Sequence, residues 1–460
     1  MRWKASNLPP RRQGPGRSEA YRSPSSGYQP EVGPVSLPCL DTYSQLPMLK
    51  NKNGRLTDTW VTIKRRASKL PALLKSIWVV ISGRWPVKPA GAGRPTKVAF
   101  LCHIPALWSK LEPVYLELRD SADFEPIVIS AHRDVETRRE TARFLTSKGV
   151  RVVGGSGEPF TDLQALKPDY VFHSVPYENF YPDQLKPAVV HRYARLCYVP
   201  YVGQLIYSSG VAETTHHSDY FKLLRLAFLA DEWEKRRLMK NLVWYGYRKG
   251  IKVVGSPHAE RVAEIAECIT SRVSRRPQVL WTPRWNSAEG NCHFFDHKNL
   301  LLEMSEKGEI DFTFRPHPLC LAHFLKSGEL TQAEHDTYLG RIAQCAHAKL
   351  DVGDYMQALK NHEIFVSDMS SVLGDAFLTG KPVVYTHRVD HFNELGRFMA
   401  EGFYWVRTPA ELSMRLRSLA AGDDPLQGKR EELLKAFHAR QPRGAARRIL
   451  EHIRSDRICD

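Results

Sequence analysis

The sequence predicts an α/β fold of two Rossmann-like domains facing each other across a cleft, behind a disordered basic N-terminal extension. From residue 96 onward, short apolar runs alternate with helix-length segments, the pattern of strands and helices around parallel sheets. The alternation lasts long enough for two sheets of similar size, and 460 residues are enough for two hydrophobic cores. Charge is divided unevenly: residues 1–97 hold 18 Lys/Arg against 4 Asp/Glu, which is +14 of the chain's net +16. The remaining residues are nearly neutral.

Residues 1–50 are rich in Pro, Gly, Ser and Arg with few periodic apolar positions, so they cannot repay the entropy of ordering. Over 60–85 the character changes, as Lys64, Arg65, Arg66, Lys69 and Lys75 interleave with Trp60, Ile63, Leu70, Leu73, Leu74, Trp78 and Val79. A basic amphipathic helix with aromatic residues suits an anionic membrane surface, and equally suits packing of its apolar side on the body of the protein. The extension is assigned to residues 1–95. Expected strands in the first domain, 96–250, are 97–101, 126–130, 150–153, 169–172 and 197–201, with helices over 111–119 and 135–148. The second domain, 251–425, is expected to begin with a strand at 251–254 and continue with 279–282, 310–314, 364–367 and 382–385. Helical character over 412–454 closes the pattern, and 426–460 is assigned to C-terminal helices.

Several classes are excluded or disfavoured by composition. Eight cysteines without a C-x-x-C pair indicate a reduced protein and not a disulfide framework. Residues 1–36 lack the apolar stretch of a secretory signal, so a cytoplasmic protein is expected. The apolar segment 70–81 is interrupted by Lys75 and falls short of the roughly 20 residues a spanning helix needs. The run His317-x-x-Cys320-x-x-His323 lacks the further ligands of a closed metal shell, so neither a metal nor any other cofactor is expected. A G-x-G-x-x-G fingerprint is absent.

Ligands of open α/β sheets bind beyond the carboxyl ends of strands, so polar residues that follow apolar runs carry the functional signal. In the second half they are Trp281-Thr282-Pro283-Arg284-Trp285, Phe314-Arg315-Pro316-His317-Pro318, Asp351-Val352-Gly353-Asp354-Tyr355 and Ser367-Asp368-Met369-Ser370-Ser371. All four are expected on one edge of one sheet. Ser370 or Ser371 at a helix start offers a hydroxyl beside unpaired backbone N–H groups, which suits a phosphate; the plainer reading is an N-cap. Two prolines stiffen the loop holding Arg315 and His317, and a cationic His317 would stabilise a leaving pyrophosphate. In the first half, His103 follows the first strand, and an imidazole near its ordinary pKa of about 6.5 suits deprotonation of an attacking hydroxyl. His173, His216 and His217 compete for that role.

The order of RPHP, the Asp-x-x-Asp-Tyr helix start and SDMSSVLGDAFLTGKPVV resembles the nucleotide-binding half of the CDP-glycerol glycerophosphotransferases, GT-B-type enzymes of teichoic-acid and capsular polymer synthesis. VVGSPHAERV and WTPRW are similar to the segments that precede these motifs in that family. The resemblance is specific over 253–385. It implies that Arg315 and His317 meet a donor diphosphate, that Ser370 and Ser371 bind its phosphates, and that Arg284, Ser367, Asp368 and Asp375 line the donor site. Asp375 stands where the family usually has glutamate, and the family's Trp-His-Gly element is missing from the first half. The implied donor is CDP-glycerol or a similar CDP- or CMP-activated compound, and the acceptor is lipid-linked or polymeric. With an anionic membrane surface as partner of the extension, the enzyme would sit on the inner face of the cell membrane. Two alternatives remain: a CMP-sugar-dependent sialyl- or Kdo-transferase-like enzyme, and a nucleic-acid-binding protein. The body carries no recognised nucleic-acid-binding motif, so no nucleic-acid partner is expected.

Overall fold

Apolar runs of three to seven residues pair in the computed structural model into two parallel sheets. It describes residues 94–458 apart from 155–161, 174, 176–180, 201–217, 242–249, 268–274, 287–291 and 387–391. The extension and its amphipathic segment therefore lie outside the described residues, as do His216 and His217.

The first sheet contains β1 (Thr96–Cys102), β2 (Phe124–Ser130), β3 (Tyr170–His173), β4 (Arg195–Tyr198), β5 (Leu224–Leu229) and β6 (Ile251–Val253), in the order β2-β1-β3-β4-β5-β6. The second contains β7 (Gln278–Thr282), β8 (Asp311–Phe314), β9 (Ala348–Leu350), β10 (Ile364–Ser367), β11 (Val383–Tyr385) and β12 (Phe403–Trp405), in the order β12-β11-β10-β7-β8-β9. Both sheets are wound from the middle outward in two directions. The strand order consequently reverses between β1 and β3 in one sheet and between β7 and β10 in the other, and such switch points open a crevice at the carboxyl ends.

The helices used below are α1 (Trp108–Arg119), α2 (Val135–Ser147), α3 (Glu232–Asn241), α4 (Pro257–Glu267), α5 (Phe294–Glu306), α6 (Cys320–Ser327), α7 (Gln332–Gln344), α8 (Tyr355–Asn361), α9 (Val372–Leu378), α10 (Glu394–Ala400), α11 (Pro409–Ala420), α12 (Gln427–Ala439) and α13 (Ala445–Ile458). Expected boundaries at 111–119 and 135–148 fall within or one residue beyond α1 and α2.

Two expected strands are corrected. Segment 150–153 makes one isolated bridge, Val128 to Val152, because Gly154 at φ +57° turns the chain away from the edge of β2. Ile251–Val253, expected to start the second domain, pairs with β5 and completes the first sheet. The passage to the second lobe comes just after it, at Gly255. This glycine has φ +93°, and a Cβ there would lie 2.2 Å from the Pro442 carbonyl oxygen, so two chain segments touch backbone to backbone.

The chain also returns. Ile449, Leu450 and Ile453 of α13 enter the core of the first lobe beside Phe100, Leu111 and Phe172. Asp456 accepts from the buried Arg195 at 2.8 Å and from Arg225 at 2.6 Å. Glu260 of α4 accepts from the N–H groups of Gly444 at 2.7 Å and Ala445 at 3.0 Å, stabilising the start of α13 with an anion. Of the C-terminal helices, α13 is thus part of the first lobe's packing, whereas Leu433 and Phe437 of α12 pack in the second lobe's core. Among the described residues no helix is long and apolar enough to cross a membrane.

Candidate functional site

The four polar loops of the second half follow β7, β8, β9 and β10, which are consecutive neighbours in the order β10-β7-β8-β9. They line one edge, with WTPRW and SDMSS flanking the switch point. Asp368 organises this edge from within. It is fully buried, and its carboxylate accepts from the N–H of Arg284 at 3.0 Å, the N–H of His293 at 3.1 Å and the hydroxyl of Thr386. Burial raises its pKa, and these three donors act in the opposite direction. Ser367 is equally buried; its Oγ accepts from the Thr282 hydroxyl at 2.8 Å and lies 3.0 Å from Ser370 Oγ. Arg284 donates from a guanidinium nitrogen to the Met369 carbonyl at 3.1 Å, tying the two switch-point loops together.

Arg315 is held in place by Asp351 Oδ2 at 2.5 Å and the Gly353 carbonyl at 2.9 Å, and it lies 5.5 Å from the ring centroid of Tyr355. His317 projects beyond it and is exposed. Its Nδ1 accepts the Leu319 N–H at 3.2 Å, which leaves the proton of the neutral ring on Nε2. Desolvation against its surroundings, followed by the positive charge of Arg284, holds its pKa down at about 4. In the ligand-free protein this favours an uncharged imidazole presenting an N–H donor.

Ser371 occupies the N-cap position of α9 with φ −64° and ψ −19°, and its side chain makes no capping bond. A hydroxyl that caps needs an extended backbone at this position, and Ser371 is helical. Its exposed hydroxyl stands at the edge with the half-buried Ser370 beside it. Lys381 donates to the carbonyls of Leu359, Lys360 and His362 and closes the C-terminal end of α8.

Asp375, expected to line the donor site, is engaged within the protein. It is buried, and its carboxylate receives Lys110 Nζ at 3.1 Å, His258 Nε2 at 2.9 Å and the Tyr355 hydroxyl at 3.0 Å. Burial disfavours its charged form, yet His258 and Lys110 more than reverse this and hold the carboxyl well below the usual carboxylate range. Lys110 lies in no motif, and His258, though inside VVGSPHAERV, was not singled out as a site residue. Each reads locally as a polar residue on a helix, and Lys110 meets a partner 265 positions away.

In the first lobe, His103 follows β1 and His173 ends β3, so both stand at that sheet's switch point. His103 is buried, with ring centroids 6.1 Å from His132 and 5.7 Å from Tyr181; His173 is fully buried, 5.0 Å from Tyr181. Desolvation lowers both pKa values to about 3, assisted by His132 for His103 and by His103 for His173. His132, which the sequence did not single out, thus belongs to a group of three imidazoles. Neither ring nitrogen of His173 has a hydrogen-bond partner among the described residues. Among the described residues, no three His, Cys, Asp or Glu side chains are arranged to hold a metal ion.

No protein-family model matches the chain, including the family it resembles, and no curated protein matches it in sequence. Solved structures do share its fold. MnaA from S. aureus, in a co-structure with UDP, superposes with a TM-score of 0.51 at 15% identity, covering 78% of this chain and 96% of its own. A UDP-N-acetylglucosamine 2-epimerase gives 0.51 at 14% identity over 78% of this chain and 96% of its own. The wall teichoic acid polymerase TagF reaches 0.49 at 12% identity over 85% and 98%, too low a score to bear on function. At these identities the likeness is one of fold, an α/β GT-B-like pair of lobes.

Proposed function

We propose that the chain is a GT-B-type transferase that moves glycerol phosphate, or a related polyol phosphate, from a CDP-activated donor to a hydroxyl of a lipid-linked or polymeric acceptor. The observation that carries this reading is positional: candidate residues of both lobes stand at the switch points of the two sheets, with Arg315 and His317 on the adjoining loop after β8. The second lobe's edge combines an exposed, non-capping Ser371 hydroxyl with the Nε2–H of His317, two donors suited to phosphate oxygens. The first lobe supplies His103 as a neutral imidazole; burial holds its pKa at about 3 and not near the expected 6.5, so in this reading it takes up a proton only with the donor's negative charge beside it.

In this mechanism the acceptor oxygen forms a bond to the donor β-phosphorus while the bond to the bridging oxygen breaks. CMP leaves with that electron pair. The acceptor's proton passes to His103, and negative charge from the donor would raise the imidazole's affinity for it. The Nε2–H of His317 stabilises the charge that gathers on the leaving phosphate. Positioning and electrostatics carry such reactions. For the extension we propose an anionic bilayer on the cytoplasmic side as partner, checked by co-sedimentation of the full chain with anionic vesicles, which should weaken with salt.

CMP release by purified protein with CDP-glycerol, CDP-ribitol and CMP-sialic acid tests the reading. Release with a CDP-polyol only in the presence of acceptor supports it; release with CMP-sialic acid alone would replace it with the sugar-transferase reading, and no release with any donor would end it. His317→Ala should lower turnover by about 10²–10³ while weakening donor binding less.

A further inference from the structure

Two lysines of the first lobe converge on one short stretch of the second. Lys110 of α1 reaches Asp375, which holds the hydroxyl of Tyr355, the first residue of α8. Lys148, which ends α2, pairs directly with Asp354, the N-cap of that helix. Asp354 also accepts the Met356 N–H at 3.0 Å, so the pair bears on the helix start itself. The same stretch carries what fixes Arg315: the Asp351 carboxylate, the Gly353 carbonyl and the Tyr355 ring. His258 of α4, which follows the crossing between the lobes, adds a third donor to Asp375 and lies 3.3 Å through Nδ1 from the Ser109 carbonyl.

From this convergence we infer that Lys110 and Lys148 are positioning residues for the second lobe's site: the first lobe sets the Arg315 guanidinium through segment 351–356. Arg315 is bonded to Asp351 and Gly353 and lies over the Tyr355 ring, all of the second lobe. Asp354 and Tyr355 are the members of this stretch through which a displacement of the first lobe would reach it. The two contacts differ in setting. The Lys110–Asp375 pair is buried, with side chains 8% and 9% exposed, and breaking it leaves a buried carboxylate short of a donor. The Lys148–Asp354 pair is partly exposed at 33% and 21%, so it can be removed without threatening the fold. A loop whose geometry depends on the neighbouring lobe would present Arg315 correctly only when the lobes are properly docked, which joins donor binding to lobe arrangement.

The role of Arg315 toward a donor rests on the function proposed above, but its positioning does not. Hydrogen exchange on the intact protein therefore serves as the primary test, with variants Lys148→Met, Tyr355→Phe, Lys110→Met and the double variant Lys110→Met/Tyr355→Phe. Amides of Gly353 and Met356 should exchange a few-fold faster in Lys148→Met and about tenfold faster in Lys110→Met. Because Lys110 acts through the Tyr355 hydroxyl, the double variant should exchange no faster than the quicker single one. Unchanged exchange over 351–356 in both Lys148→Met and Tyr355→Phe overturns the inference, as does strict additivity in the double variant. If Lys110→Met fails to fold, Lys148→Met and Tyr355→Phe still decide. With an active donor in hand, Tyr355→Phe should raise donor KM several-fold with kcat nearly kept. Altered exchange without any donor activity would leave the positioning intact and remove only the proposed reaction.

Discussion

The carboxyl-end edges of the two sheets solve the same packing problem with opposite chemistry. At the second edge, charged and hydroxyl groups are tied to one another: Asp368 fastens the loops after β7 and β10, and Asp351 fastens Arg315. At the first edge the side chains facing the switch point are neutral rings, His103, His132, His173 and Tyr181, in contact through their faces and edges. The second edge holds its geometry by satisfied polar bonds, which are directional. The first holds polar rings in a desolvated setting and leaves both nitrogens of His173 without a partner among the described residues. Directional preorganisation is therefore the mark of the second edge, and unpartnered ring nitrogens at His173 the mark of the first.

The largest expected effect is at the second edge. Asp368→Ala strands two backbone N–H groups and a hydroxyl in the interior, and should cost about 4 kcal/mol or more in denaturant unfolding. A loss below about 1 kcal/mol would show that the edge does not depend on its buried carboxylate.

Next comes acid sensitivity at the first edge. His103 and His173 titrate near 3 in the folded protein and near 6.5 when unfolded, so between those values the unfolded chain binds more protons. Stability should fall as pH drops below about 6.5, by about 2 kcal/mol per histidine at pH 5. His173→Phe removes one of these groups and an unsatisfied polar ring. It should flatten the melting-temperature profile from pH 7 to 5 and leave stability at pH 7 unchanged or higher. A variant that melts lower at pH 7 with an unaltered slope would mean that the ring is satisfied in solution.

The smallest effect distinguishes cap from ligand contact. Since Ser371 makes no capping bond, Ser371→Ala should change stability by less than about 0.5 kcal/mol, whereas a capping serine would be worth about 1. Any loss should appear instead in the affinity for the nucleotide donor, measured by titration calorimetry.

The two edges also differed in legibility. Stiff, directional loops leave local marks, such as the prolines around Arg315 and His317 and the paired serines after β10, and the adjacency of four such loops could be anticipated. What Asp368 and Asp375 do with their carboxylates could not, because their partners are backbone N–H groups and residues far along the chain. The strand pattern followed the same rule. Central runs such as Val279 to Thr282 announced themselves, while Ala348–Leu350 and Phe403–Trp405 went unseen because three-residue edge strands carry little periodicity. Leu224–Leu229 was missed for another reason: it follows the helix Ser218–Leu223 with no turn residue between them. Membership of Ile251–Val253 in the first sheet is a matter of pairing, which apolar content does not encode.

The return of α13 has a consequence for how the molecule is made. Translation releases the first lobe's six strands before any of the second lobe exists, and domains ordinarily fold in that order. Here the nascent first lobe still lacks Ile449, Leu450 and Ile453 on its apolar face, and the buried Arg195 waits for the carboxylate of Asp456. Until the ribosome reaches that stretch, the emerging chain carries an open hydrophobic surface, the feature that chaperones bind, and a guanidinium still short of its Asp456 carboxylate. The half of the molecule that is synthesised first is the half that is finished last.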